Sequence, residues 1–406
     1  MGAWQESNFR LLFFAQTASA FGNTLLPVAL AFGVLNLTGS PTDLGLVLGA
    51  GASAQVVSLL VGGVLADRTS RRLIMIVADV ARALAQLALG LVLIFGEPSV
   101  LTLVGLNAIV GIGFGLFAPA SVGLTPALVR TKHLQEANSL LQMSTAAAGI
   151  AGPAVAGVLI VAAGPGWAIV GDAATFLISA ALLARLRLAE EPHTDRQQWL
   201  RGLREGWTQF VHLPWFRNVV IGASAFNCSY AAFIVLGPVV AQEYYGGAST
   251  WAAILTASAV GAVLAGLATI RLRPVHPLRL AVPAIALASI APLAMAGLLP
   301  VIAIAFAAAI GGAGVIIFES IWQTSVQRHV PEKVLSRVSS YDYLGSLVAY
   351  PVGLTVAGPL AAEVGARSVL LLMGGLQAVF VIIMLFMPSV RALRNDPTPD
   401  STLGGA

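Results

Sequence analysis

Five ionisable side chains, Asp79, Arg82, Asp172, Glu319 and Asp342, lie inside long apolar runs. In a lipid environment an ionised group costs at least about 2.5–3.5 kcal/mol at the bilayer centre. Such residues therefore face a bundle interior or a water-filled cavity and commonly carry ions or protons. Asp79 and Arg82 are three residues apart and share a helix face, which fits an ion pair tying one helix to its neighbours or a pair that carries charge. Glu319 has no basic residue within a helical turn. A carboxyl so placed can alternate between a proton and another ligand, or bond to a polar neighbour such as Gln323. Asp172 admits the same two readings. Asp342, near the end of its run, reads equally as a cap or gate contact.

Other chemistry is excluded by what accompanies these residues. A phosphate-binding loop needs Gly-Lys-Ser/Thr, whereas the only lysines, Lys132 and Lys333, follow Thr131 and Glu332. The chain has no such route to ATP. It contains neither His-Glu-x-x-His nor Gly-x-Ser-x-Gly, and its 5 histidines fall in or near loops. No enzyme activity, metal site or cofactor is therefore expected. Gly111-x-Gly113-x-Gly115 lies within an apolar run, where small residues let helices approach closely. The energy source left is an ion gradient, worth about 2.3 kcal/mol per charge per 100 mV.

The elements that hold these residues follow from composition. Of 406 residues, 57% are hydrophobic and 10% charged, against roughly 25% charged in soluble domains. With about 20 apolar residues per span, the chain accommodates about twelve. Spans are predicted at 8–35, 43–66, 72–96, 99–129, 137–163, 165–186, 215–242, 247–271, 279–298, 300–328, 338–362 and 366–388. The first reads as a retained helix, not a cleaved leader. Apart from Arg82, inside a span, and Arg367, the other 20 of 22 Lys and Arg fall on one side if both termini are cytoplasmic. The positive-inside rule thus supports the count and the orientation. It also explains the net charge of +4 without nucleic-acid binding.

The expected organisation is a bundle over 1–186, a cytoplasmic linker over 187–214, a second bundle over 215–388 and a disordered cytoplasmic tail over 389–406. In the linker, Trp199, Leu203, Trp207 and Phe210 recur at helical spacing among Arg201, Arg204 and Glu205, which predicts a helix on the membrane surface. Lone Cys228 excludes an intramolecular disulfide. Abundant arginine with only two lysines points to a bacterial source, hence a bacterial inner membrane.

The halves repeat at an offset of 201 residues. Gly111, Gly113 and Phe117 fall on Gly312, Gly314 and Phe318, and Lys132 on Lys333. Gly152, Gly157 and Gly164 fall on Gly353, Gly358 and Gly365. Two related six-helix bundles follow, with substrate expected between them near the midplane. Glu319 aligns with Ala118 and Asp342 with Leu141, so these acids are departures from a shared scaffold. Aromatics such as Phe21, Phe226, Phe318, Trp322 and Tyr343 fit a cavity lining or, more simply, packing. Asn23, Asn107, Gln142 and Asn227 fit bonds between helices.

The loop between spans 2 and 3 reads Gly62-Gly63-Val64-Leu65-Ala66-Asp67-Arg68-Thr69-Ser70-Arg71-Arg72. It resembles the signature loop of the major facilitator superfamily. That resemblance implies an all-α membrane protein of twelve transmembrane helices in two pseudo-symmetric six-helix bundles. It also implies a gating motif at Gly63, Asp67, Arg68, Arg71 and Arg72, with Asp67 latching against the start of helix 11. Span 5 carries Gly149, Gly152-Pro153 and Gly157, similar to the tail of the exporters' Gly-Pro motif, with Ala148 and Ala156 where glycines are expected. With Ala78-Asp79-Val80-Ala81-Arg82 and Val330-Pro331-Glu332, these residues resemble the drug:proton antiporter branch that includes macrolide and siderophore exporters. Asn107 and Asn23 stand where that branch often carries an arginine and an acid.

The resemblance implies a monomeric secondary transporter that exports a small amphipathic molecule by proton antiport with alternating access. Its partners would be the lipid bilayer, a small-molecule substrate and protons. The alternatives are a proton-coupled importer of a small metabolite and a non-transporting receptor or scaffold. Proton coupling or substrate contact is assigned to Glu319, Asp172, Asp79, Arg82 and Asp342.

Overall fold

A computed structural model describes residues 2–66, 69–130, 133–186, 211–272, 274–330 and 332–394, without side-chain detail at 63, 64, 66, 332–337 and 340. Among these residues, twelve helices are long and apolar enough to cross a membrane. They are α1 (Ser7–Thr38), α2 (Pro41–Ala66), α3 (Arg71–Phe95), α4 (Val100–Leu128), α5 (Leu134–Ala163), α6 (Pro165–Ala184), α7 (Pro214–Tyr244), α8 (Ala248–Thr269), α9 (α9a Pro277–Ala286 and α9b Ile290–Ala296), α10 (Val301–His329), α11 (α11a Glu332–Leu347 and α11b Tyr350–Val364) and α12 (Ala366–Phe386). Phe95, Leu101, Ile302 and Phe386 are each more than 70% exposed. Such apolar exposure suits hydrocarbon as the outer solvent. The surface-helix residues Trp199, Leu203, Trp207 and Phe210, and Lys132 of the repeat, lie outside the described residues, as does the tail beyond Arg394. The first residues of the expected disordered tail are instead ordered, with a helical turn at Pro388–Arg391 and Val390 buried.

Helix ends follow local chemistry. Ser70 and Ser99 accept the backbone N–H of Leu73 and Thr102, capping α3 and α4. Gly39, at φ +63, ends α1 in the left-handed region that glycine tolerates. Two spans expected as single helices are broken. In α9 a 3-10 turn at Leu287–Ser289 interrupts the helix. Pro292 cannot bond to Ala288, and its ring crowds that carbonyl. In α11 the break falls at Val348 and Ala349, four residues or fewer before Pro351. The helix also begins earlier than expected, at Glu332.

The repeat is visible as equivalent packing. Gly111 in α4 backs onto Gly51 in α2, while Gly312 in α10 backs onto Ser258 in α8. Gly113 backs onto Ala78 and Arg82 in α3, and Gly314 onto Ala284 in α9a. The turn glycines Gly164 and Gly365 share left-handed backbones, φ +93 and +86. Thus α4 packs between α2 and α3 as α10 does between α8 and α9. The halves meet through a crossed pair of contacts: Gly157 of α5 faces Ala252 of α8, and Gly358 of α11b faces Pro41 and Thr42 of α2. The amide of Gln242 also donates to Asn36 Oδ1 at 3.3 Å. All three contacts lie at the end of the molecule opposite the termini.

Candidate functional site

Between the halves is a cavity of about 640 Å³. The first half contributes Asn23, Thr24 and Pro27 from α1 and Pro153 from α5; most of the wall belongs to α7, α8, α10 and α11. Glu319 and Asp342 share that wall and lie within electrostatic reach of each other. Glu319 is exposed and makes no hydrogen bond among the described residues, so of its two readings the bond to Gln323 is not seen there. Asp342 is 8% exposed and accepts the Trp322 indole N–H at Oδ2, 2.8 Å away. It is a wall residue of the cavity, not a cap at a helix end. Trp322 is itself fixed by stacking on Phe216 and Phe318, with ring centroids 5.4 and 6.2 Å apart.

Phe226, Phe318, Trp322 and Tyr343 all line the space; the first three are also buried in the packed core of the second half, so the two readings of these aromatics hold together. Tyr230 and Ser346 complete the wall and had no sequence signal, since each looks like any residue of an apolar run. Asn227 donates to the Ser346 carbonyl at 2.9 Å, a bond from α7 to α11a, as expected.

The other three charged residues come together inside the first half. Asp79, Arg82 and Asp172 are each 0% exposed. Arg82 is paired with Asp79. Its Nη1 donates to Asn23 Oδ1 and its Nη2 to Ser19 Oγ, both at 3.2 Å. The guanidinium lies between Phe117 and Phe176, 4.8 and 4.2 Å from the ring centroids, a cation–π arrangement strengthened by desolvation. Asp172, on α6, accepts from Thr175 Oγ1 at 3.2 Å. Its carboxyl lies against Gly22 of α1, where any larger residue would collide with it.

Of the loop motif, Asp67 and Arg68 lie outside the described residues, and Gly63 lies where no side-chain environment is described. Arg71 Nη1 donates to the Gly123 carbonyl at 2.8 Å. Arg72 donates to the carbonyls of Leu183, at 2.9 Å, and Ala184, where cations complement a helix C-terminus. These arginines therefore tie α3 to α4 and α6 within one half. In α5, Gly152 lies against Thr24 of α1, whose hydroxyl donates to Ala148 O at 2.9 Å. Gly149 faces open space, Pro153 the cavity, and Gly157 the other half. The span-5 motif thus lets one helix touch α1, the cavity and α8.

A sequence profile of the Major Facilitator Superfamily matches residues 12–348. This chain belongs to that superfamily. Among curated relatives, the enterobactin exporter EntS of Citrobacter koseri is 27% identical over 97% of this chain and 95% of its own. The Escherichia coli enterobactin exporter EntS is 26% identical over 98% and 96%. Among solved structures, a peptide transporter POT in complex with sulfate has a TM-score of 0.74 at 13% identity, covering 96% of each chain. The superfamily member described here is a multi-pass membrane protein whose relatives and fold are those of transporters. The sequence resemblance to the exporter branch agrees with those relatives.

Proposed function

We propose that this chain exports a small amphipathic molecule by proton antiport, using the cavity between its two halves in an alternating-access cycle. The cavity carries the reading: about 640 Å³ suits a ligand of drug or siderophore size. Its wall combines aromatic faces with two acids and, among its lining residues, no base. Glu319 is the coupling carboxyl and exchanges a proton for substrate; Asp342, oriented by Trp322, supports the same wall. Asp79 and Arg82 hold their bundle together, and Asp172 belongs to the same cluster. The enterobactin-exporting relatives support siderophore-like molecules, alongside drugs and macrolides, as the substrate class.

Both termini lie in the cytoplasm of a bacterial inner membrane, and the protein acts as a monomer. The two bundles divide at the 187–214 linker. With that orientation, the contacts at Gly157, Gly358 and Asn36 close the outer side, and the cavity faces inward. Rocking of the bundles would exchange these contacts for the latch at Asp67. The test is efflux of a fluorescent amphipathic dye and of enterobactin from energised cells, with and without a protonophore. Efflux of either compound that stops with the protonophore is expected. Protonophore-insensitive efflux, net uptake, or no movement of either compound would contradict the proposal.

A further inference from the structure

The buried cluster of the first bundle holds two carboxyls and one guanidinium with no solvent exposure. The elements packed around it bring no further charge among the residues that face it. From α1 come Ser19, Gly22 and Asn23, from α4 Gly113 and Phe117, and from α6 Thr175, Phe176 and Ser179. Two carboxylates against one cation would leave a buried negative charge uncompensated, and buried charge persists only when paired. Asp79 and Asp172 each keep one buried oxygen, Oδ2, without a partner. Arg82, however, is paired with Asp79, whereas the side chains that meet the Asp172 carboxyl, Thr175 and Gln86, are neutral. The unmatched group is therefore Asp172.

We propose that Asp172 is a second proton-binding site, protonated in this conformer and linked to the central cavity through Arg82 and Asn23. Asn23 lines the cavity and is also an acceptor for Arg82. Arg82 Nε is buried without an acceptor. When the Asp172 O–H bond breaks and its proton passes to cavity water, the carboxylate becomes an acceptor that the guanidinium can turn to. That turn breaks the bond to Asn23 and frees its carboxamide at the cavity wall, so proton release and wall shape are coupled. The inference deepens the proton-coupled reading and rests on it for the use made of the proton. The proton itself is measurable without transport.

The test is infrared spectroscopy of the purified protein, following the C=O stretch of protonated carboxyls at neutral pH. The parent is expected to show a band that Asp172→Asn loses. The double variant Glu319→Gln, Asp342→Asn should keep it, whereas Asp79→Asn, which leaves Arg82 with Asp172 as its one buried anion, should weaken it. Asn23→Ala, which leaves Arg82 free to turn to Asp172, should weaken the band at the same pH. Absence of the band from the parent, its full survival in Asp172→Asn, or an undiminished band in Asp79→Asn would overturn the site. An unchanged band in Asn23→Ala would overturn the link to the cavity. If efflux fails while the Asp172 band is found, the transport reading falls and the proton site stands.

Discussion

Arg82 has more to lose by substitution than any exposed charge in the chain, because its removal strands Asp79 in a space without water. Breaking a buried pair from one side costs about 3–5 kcal/mol. Arg82→Ala is therefore expected to lower the thermal midpoint of the purified protein markedly, and adding Asp79→Ala should recover much of the loss. Equal midpoints for parent and Arg82→Ala would contradict the pairing. Trp322→Phe preserves the stack on Phe216 and Phe318 but removes the donor to Asp342. A hydrogen bond to a charged group is worth about 1.5–3 kcal/mol, so this variant should fold yet bind substrate at least several-fold more weakly; unchanged binding would count against Asp342 as part of the site. The sequence displayed every one of these charges, because each interrupts an apolar run. It did not show that Asp172 joins Asp79 and Arg82, since that partnership depends on how α6 lies against α3 and leaves no periodic trace.

At the scale of elements, the glycine register was legible. Gly111 and Gly312, or Gly152 and Gly353, recur because equivalent helix pairs approach equally closely. The breaks in α9 and α11 were not legible. Pro27, Pro153 and Pro238 sit inside unbroken helices, since neighbours can satisfy the freed carbonyls. Proline alone therefore does not mark a break. Gly358 faces the backbone of Pro41 and Thr42, where added methyl groups must push α11b from α2. Overpacking costs about 1–3 kcal/mol, enough to shift the balance between conformers by roughly 5- to 150-fold. Gly358→Val should speed labelling of a Leu354→Cys thiol by an impermeant maleimide added from the outside. An unchanged labelling rate would mean that this contact does not hold the outer side closed.

At the scale of the molecule, twelve helices and two related halves were legible because membrane length and charge asymmetry act on whole segments. The uneven cavity was not, since few of its lining residues come from the first half and no single segment's pattern records that imbalance. Alternating access requires the outer contacts to part. Joining Asn36→Cys to Gln242→Cys with a short thiol crosslinker should stop transport, and cleaving the linker should restore it; full transport while crosslinked would contradict the rocking cycle. The most direct test of the central claim uses proteoliposomes with an imposed pH gradient, loaded with whichever probe cells export, comparing the parent with Glu319→Gln. Gradient-driven transport by the parent, lost in a Glu319→Gln protein that is folded and still binds the probe, is the predicted result. Equal gradient-driven transport by both proteins would show that Glu319 does not couple the proton to export.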